Sequence, residues 1–70
     1  MNNFTIPEVN IICIYAGDSK AETIANIMDG IPHFSDDKAM VDIAEQSILK
    51  LDTLTDDEYE GMNFKENFTE

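Results

Sequence analysis

Arginine and tryptophan are absent from this chain, and cysteine and histidine occur once each, as Cys13 and His33. A single cysteine cannot close an internal disulfide. One cysteine and one histidine cannot supply the clustered ligands of a zinc site. Arginine is the side chain that best forks onto phosphates and base edges, and a nucleic-acid binder carries a basic patch. Here the cations are four lysines (Lys20, Lys38, Lys50, Lys65) set against fifteen acids, for a net charge of −11. That balance argues against direct binding to DNA, RNA or an anionic membrane surface. Long apolar runs are missing as well, and none approaches the roughly 20 residues of a membrane span. Met1-Asn2-Asn3 carries no signal-peptide pattern. With a lone thiol, this predicts a cytoplasmic protein in a reducing compartment.

The 70 residues make one domain, 1–70. So short a chain buries a small core, and its stability is expected to be a few kcal/mol. With no disulfide or metal as a staple, stability must come from helix packing or from self-association.

What is present is a set of helix start signals. Thr5-Ile6-Pro7-Glu8 is a capping box with proline in the first turn. Phe4 and Val9 have the spacing of a hydrophobic staple. A first helix is predicted from about Ile6 to Tyr15, with Gly17 beyond its end. Ser19-Lys20-Ala21-Glu22 is a second box, and its helix carries a stripe of Ala21, Ile24, Ala25 and Met28 before Gly30 and Pro32 stop it. Ser35, followed by Asp36 and Asp37, is predicted to start a third helix. Its stripe is Met40, Ile43, Ala44, Ser47, Ile48 and Leu51. Thr55-Asp56-Asp57-Glu58 opens a short fourth helix through Tyr59 and Met62. Residues 64–70 read as a partly ordered acidic tail.

The run from Val9 to Tyr15 is rich in β-branched residues and would also suit a strand leading into a nucleotide-binding turn. The capping box directly before it, and the lack of a second strand to pair with, favour a helix. Being apolar on most faces, that helix is expected to be surrounded by its neighbours. The prediction is an all-α fold of three helices plus a short fourth. Its core is expected to hold Val9, Ile12, Ile24, Met28, Met40, Ile43, Ile48 and Leu51.

The opening N-N-F-T-I-P-E-V-N-I-I-C-I-Y resembles that of the transposon-transfer assisting protein family, small bacterial proteins of conjugative-transposon-like regions found largely in Firmicutes. The turn at Ser19, the second helix, the acidic third helix and L-T-D-D-E-Y from Leu54 to Tyr59 are similar too. The turn Ala16-Gly17-Asp18-Ser19-Lys20 departs from the more Ser/Arg-like turn expected there. The resemblance implies an accessory role in transfer of a mobile element. It implies no defined chemistry, and no catalytic or ligand residue carries across.

The residues themselves agree. His33 sits in a Pro32-His33-Phe34 turn with no nucleophile or second ligand in view, and reads as a loop histidine. Cys13 lacks the cationic neighbourhood of a reactive thiol and reads as a small core residue. Asp52, Asp56, Asp57, Glu58 and Glu60 lack the glycine and spacing of a calcium loop. Asn3-Phe4-Thr5 and Asn67-Phe68-Thr69 match a glycosylation sequon, but without a secretory signal they are chance matches. Gly17-Asp18-Ser19-Lys20 lacks the glycine framework of a P-loop. No catalytic, cofactor or metal residue is predicted, and the protein is not expected to be an enzyme. The expected partner is a basic protein. Its docking surface is predicted at Tyr59, Met62 and Phe64, rimmed by Asp52, Asp56, Asp57, Glu58 and Glu60. Two other readings of the acids stay open: they keep the protein soluble, or they mimic DNA phosphates and occupy the basic groove of a DNA-handling protein.

Overall fold

The computed structural model describes residues 4–62 and 64. Its first helix, α1 (Ile6–Tyr15), starts where the capping box predicts. The Thr5 hydroxyl accepts the Glu8 N–H at 3.3 Å, and the Glu8 carboxylate accepts the Thr5 N–H at 2.9 Å. Val9 to Tyr15 is therefore helical, and no strand occurs among the described residues.

The second helix, α2 (Lys20–Gly30), is capped by Ser19, whose hydroxyl accepts the Glu22 N–H at 3.1 Å. The return bond differs from a regular box. Glu22 reaches past Ser19 to accept the N–H of Asp18 at 2.8 Å. The α-helix ends at Gly30 as predicted, but Gly30 holds a right-handed helical conformation and the chain continues as a 3-10 turn over Ile31–Phe34. Its role is spatial. A Cβ on Gly30 would lie 2.6 Å from the Tyr15 hydroxyl oxygen, so the missing side chain is where the Tyr15 ring sits.

The 3-10 turn displaces the start of α3 (Lys38–Asp52). The cap is Asp37, which accepts the Met40 N–H at 3.2 Å, and not the predicted Ser35. The Ser35 hydroxyl donates instead to Pro32 O within the turn. The last helix, α4 (Asp56–Met62), opens on the predicted Thr55–Glu58 box, with reciprocal bonds of 2.8 and 3.1 Å.

Helix α3 packs against both α1 and α2, which also touch each other. The radius of gyration, 11.2 Å, is about that expected for a compact chain of this length, so the helices enclose one core. Ile12, Ile27, Ala44 and Leu51 are its fully buried apolar centre, joined by Ile11, Cys13, Tyr59 and Phe64. Of the predicted core, Ile12 and Leu51 are buried, while Val9, Ile24, Met40, Ile43 and Ile48 are half-buried against it. Met28 is not core: 57% of it is exposed. The buried side of α2 is Thr23, Ile27 and Gly30, and the predicted residues Ala21, Ala25 and Met28 face outward. Nor is α1 surrounded. Ile11, Ile12 and Cys13 turn inward, but Ile6 and Ile14 are 78% and 59% exposed.

Candidate functional site

Helix α4 presents one side to the core and the rest to solvent. The Tyr59 ring lies 5.6 Å from that of Phe64, which in turn meets Phe4 edge-on at 5.7 Å. The Tyr59 hydroxyl is 2.5 Å from Thr23 Oγ1 and 3.3 Å from Gly17 O. Thr23 Oγ1 also accepts the Gly17 N–H at 2.8 Å and donates to Ser19 O at 2.9 Å. With the threonine proton on Ser19 O, the phenol is the donor, and its one proton is shared between the Thr23 oxygen and Gly17 O. These bonds fasten α4 and the α1–α2 turn to the first turn of α2.

The predicted docking patch is corrected by this arrangement. Tyr59 and Phe64 are buried and Met62 is half-buried, so these three cannot form an exposed apolar surface. Phe64 belongs to the core and not to a tail; residues 65–70 lie outside the described residues. The acids of the patch, Asp52, Asp56, Asp57, Glu58 and Glu60, are all exposed. They continue onto the outer side of α3, where Asp42, Glu45 and Asp52 share a face with Leu49, itself 60% exposed.

Electrostatics follow from how the lysines are used. Lys50 Nζ reaches Glu8 Oε1 at 2.7 Å and stands 5.9 Å over the Phe4 ring. Lys20 Nζ donates to Leu54 O at 2.6 Å, tying the start of α2 to the α3–α4 connection. Two of the four lysines thus serve the interior, and Lys65 lies outside the described residues. Every described acid except Glu8 is exposed. The glutamate was readable as a cap, but its ion pair with Lys50, 42 residues away, was not. Its position three and four residues before Ile11 and Ile12, on the face that turns inward, is the signal that points to burial.

Burial raises the Glu8 carboxyl. The Lys50 hydrogen bond, the Thr5 backbone N–H and the Lys50 charge together outweigh that and hold it below the ordinary carboxylate value. Burial pushes the Cys13 thiol up, which leaves it a poor nucleophile at neutral pH. His33 is exposed on the rim of a shallow, open groove whose walls include Ile14, Tyr15, Asn26 and Asp29. Among the described residues, no group of three or more His, Cys, Asp or Glu side chains could hold a metal ion. No helix among them is long and apolar enough to cross a membrane.

Residues 4–65 match the family model described as "Putative transposon-transfer assisting protein". No curated protein and no solved structure matches the chain.

Proposed function

The chain belongs to the transposon-transfer assisting protein family, and on that premise we propose that it assists transfer of a conjugative-transposon-like element by binding a basic protein, without catalysing a reaction. It does so in the cytoplasm. The observation that carries this reading is the distribution of charge. The acids of α3 and α4 face solvent, while Lys20 and Lys50 are committed to internal contacts. The surface left for a partner is strongly negative and attracts lysine and arginine. Leu49, exposed among Asp42, Glu45 and Asp52, supplies the apolar contact that Tyr59 and Phe64 cannot.

A second reading uses the same acids. Asp52, Asp56, Asp57, Glu58 and Glu60 form a dense exposed run, and such a run can imitate DNA phosphates in the basic groove of a DNA-handling protein.

The test is retrieval of tagged protein from cells that carry the element, with the captured protein identified. It is run at low salt and at about 0.5 M salt, where the screening length falls to a few Å. The proposal expects a basic protein, retained at low salt and weakened by salt. Binding should also weaken when Asp56, Asp57 and Glu60 are made Asn, Asn and Gln, which spares the Glu58 cap. Displacement by duplex DNA selects the mimic; indifference to DNA, with sensitivity to Leu49→Ser, selects the protein-contact reading. Failure to retain any basic protein at low salt overturns both.

A further inference from the structure

Helix α1 turns an uncharged side to solvent. Its solvent side shows Ile6, Pro7, Asn10 and Ile14, and none of them is charged. Ile6, Asn10 and Ile14 are four residues apart, so they form one row about 12 Å long on the helix surface. The helix has one charged residue, Glu8, and the fold turns it inward to Lys50. A chain of net charge −11 therefore keeps this helix face free of charge and places two exposed isoleucines on it, whereas the uncharged outward row of α2, Ala21, Ala25 and Met28, carries a single large apolar side chain.

We propose that this face is where two copies of the chain meet, with their α1 helices antiparallel about a two-fold axis at Asn10. Charge decides between occupants. A basic protein is drawn to the acids of α3 and α4 and gains nothing electrostatic here. A second copy is repelled by the acidic faces of α3 and α4, and approaches most closely where exposed acids are fewest. The row itself is self-complementary. Ile–Asn–Ile reads the same in either direction, so a two-fold axis sets each Ile6 against Ile14 of the other copy and Asn10 against Asn10. The asparagine amide both donates and accepts, so two of them can satisfy each other across the axis, as a buried asparagine does in a coiled-coil seam. There is also room for the incoming side chain. The open groove beside Ile14 is lined by Tyr15, Ala16 and Gly30, with Asp29 and His33 also in its lining, and it offers space next to Ile14 for an incoming Ile6.

One ten-residue helix buries less than a standard interface, so the dimer is weak and exchanges rapidly. Its salt dependence is the reverse of the basic-partner contact, because salt screens the repulsion between two acidic copies. The two proposals rest on different surfaces and fail separately.

Sedimentation of the purified full chain over a concentration series tests the dimer. Association is expected to strengthen from low salt to about 0.5 M salt. Ile14→Lys should weaken it by about tenfold or more, equivalent to about 1.4 kcal/mol. That variant also lowers the net negative charge, so an effect of charge alone would tighten association instead. Ile14 is exposed, and an unchanged helical circular dichroism spectrum confirms the fold. As a second readout, Asn10→Cys places a thiol at the axis while Cys13 stays buried. Under mild oxidation it should form a covalent dimer faster than Ala39→Cys, which is exposed on α3. A chain that stays monomeric at every concentration and salt overturns the proposal. So does a dimer indifferent to Ile14→Lys, or equal cross-linking of the two cysteine variants.

Discussion

Among the described residues, Glu8 is the only charged side chain the fold buries, and its charge is matched at 2.7 Å by Lys50. The pairing makes stability depend on pH in a definite direction. The folded-state value is lowered, so the contribution of Glu8 is complete above the ordinary carboxyl value of about 4.3 and is lost as pH falls through the lowered value. Glu8→Gln keeps an acceptor for the Thr5 N–H but loses the ion pair. Urea unfolding should show it less stable than the native chain by on the order of 1–2 kcal/mol at pH 7. The gap should close in acid. A gap that persists unchanged at pH values well below the carboxyl range would show that packing, and not charge, is responsible.

The Tyr59 hydroxyl is a second polar anchor. Tyr59→Phe removes the hydroxyl's contacts with Thr23 and Gly17 O and leaves Thr23 with Ser19 O and the Gly17 N–H, a loss of about 1–2 kcal/mol. Thr23→Val should cost more, because it leaves both the Gly17 N–H and the tyrosine hydroxyl without that partner. The double variant should lose less than the sum of the two, since the residues share one network. Additive losses would mean that the two hydroxyls act independently.

At the scale of elements, Gly30 joins α2 to the 3-10 turn while seating Tyr15. Alanine is normally better than glycine inside a helix by about 1 kcal/mol. Gly30→Ala is nonetheless expected to lower the melting temperature, because the new Cβ meets the Tyr15 ring at 2.6–2.8 Å. Tyr15→Ala in the Gly30→Ala background should remove that penalty, measured against Tyr15→Ala alone. If Gly30→Ala stabilises the protein, the ring moves aside freely and the seat is not a constraint.

The caps at Thr5, Ser19 and Thr55 are legible because each acts within a few residues of itself. The start of α3 is less so. Ser35, Asp36 and Asp37 can all cap a helix, and the choice falls to Asp37 after the chain makes its 3-10 turn and packs Phe34 against the core. Helix α2 shows the same limit differently. It has apolar residues on two sides, and propensity does not say which side is inner. Contacts from elsewhere in the chain do: Tyr59 binds Thr23, and Tyr15 occupies the space over Gly30.

At the scale of the molecule, charge dominates. Repulsion among exposed acids destabilises a compact chain, and salt relieves it. The melting temperature should therefore rise with added sodium chloride. Changing Asp56, Asp57 and Glu60 to Asn, Asn and Gln should move stability by only about half a kcal/mol. The lost support at the α4 N-terminus is worth a few tenths of a kcal/mol or so per acid, and the relieved repulsion opposes it. A large destabilisation of that variant would show the acids to be structural, and would remove the basis for assigning them to a partner.

Several properties are determined by sequence alone because they depend on composition or on neighbours a few bonds away. They are the helical class, three of the four caps, the excess negative charge and the family. The docking patch at Tyr59, Met62 and Phe64 depended on something else. Acids on either side make these residues look like surface, yet Phe64 packs between Phe4 and Tyr59 in the interior. The outward isoleucines of α1 are the converse case, apolar in sequence and exposed in the fold. An apolar side chain states a preference for burial, but a helix has more than one side. Which side is covered depends on partners tens of residues away, such as Lys50 for Glu8 and Tyr59 for Thr23, and only tertiary packing brings these together.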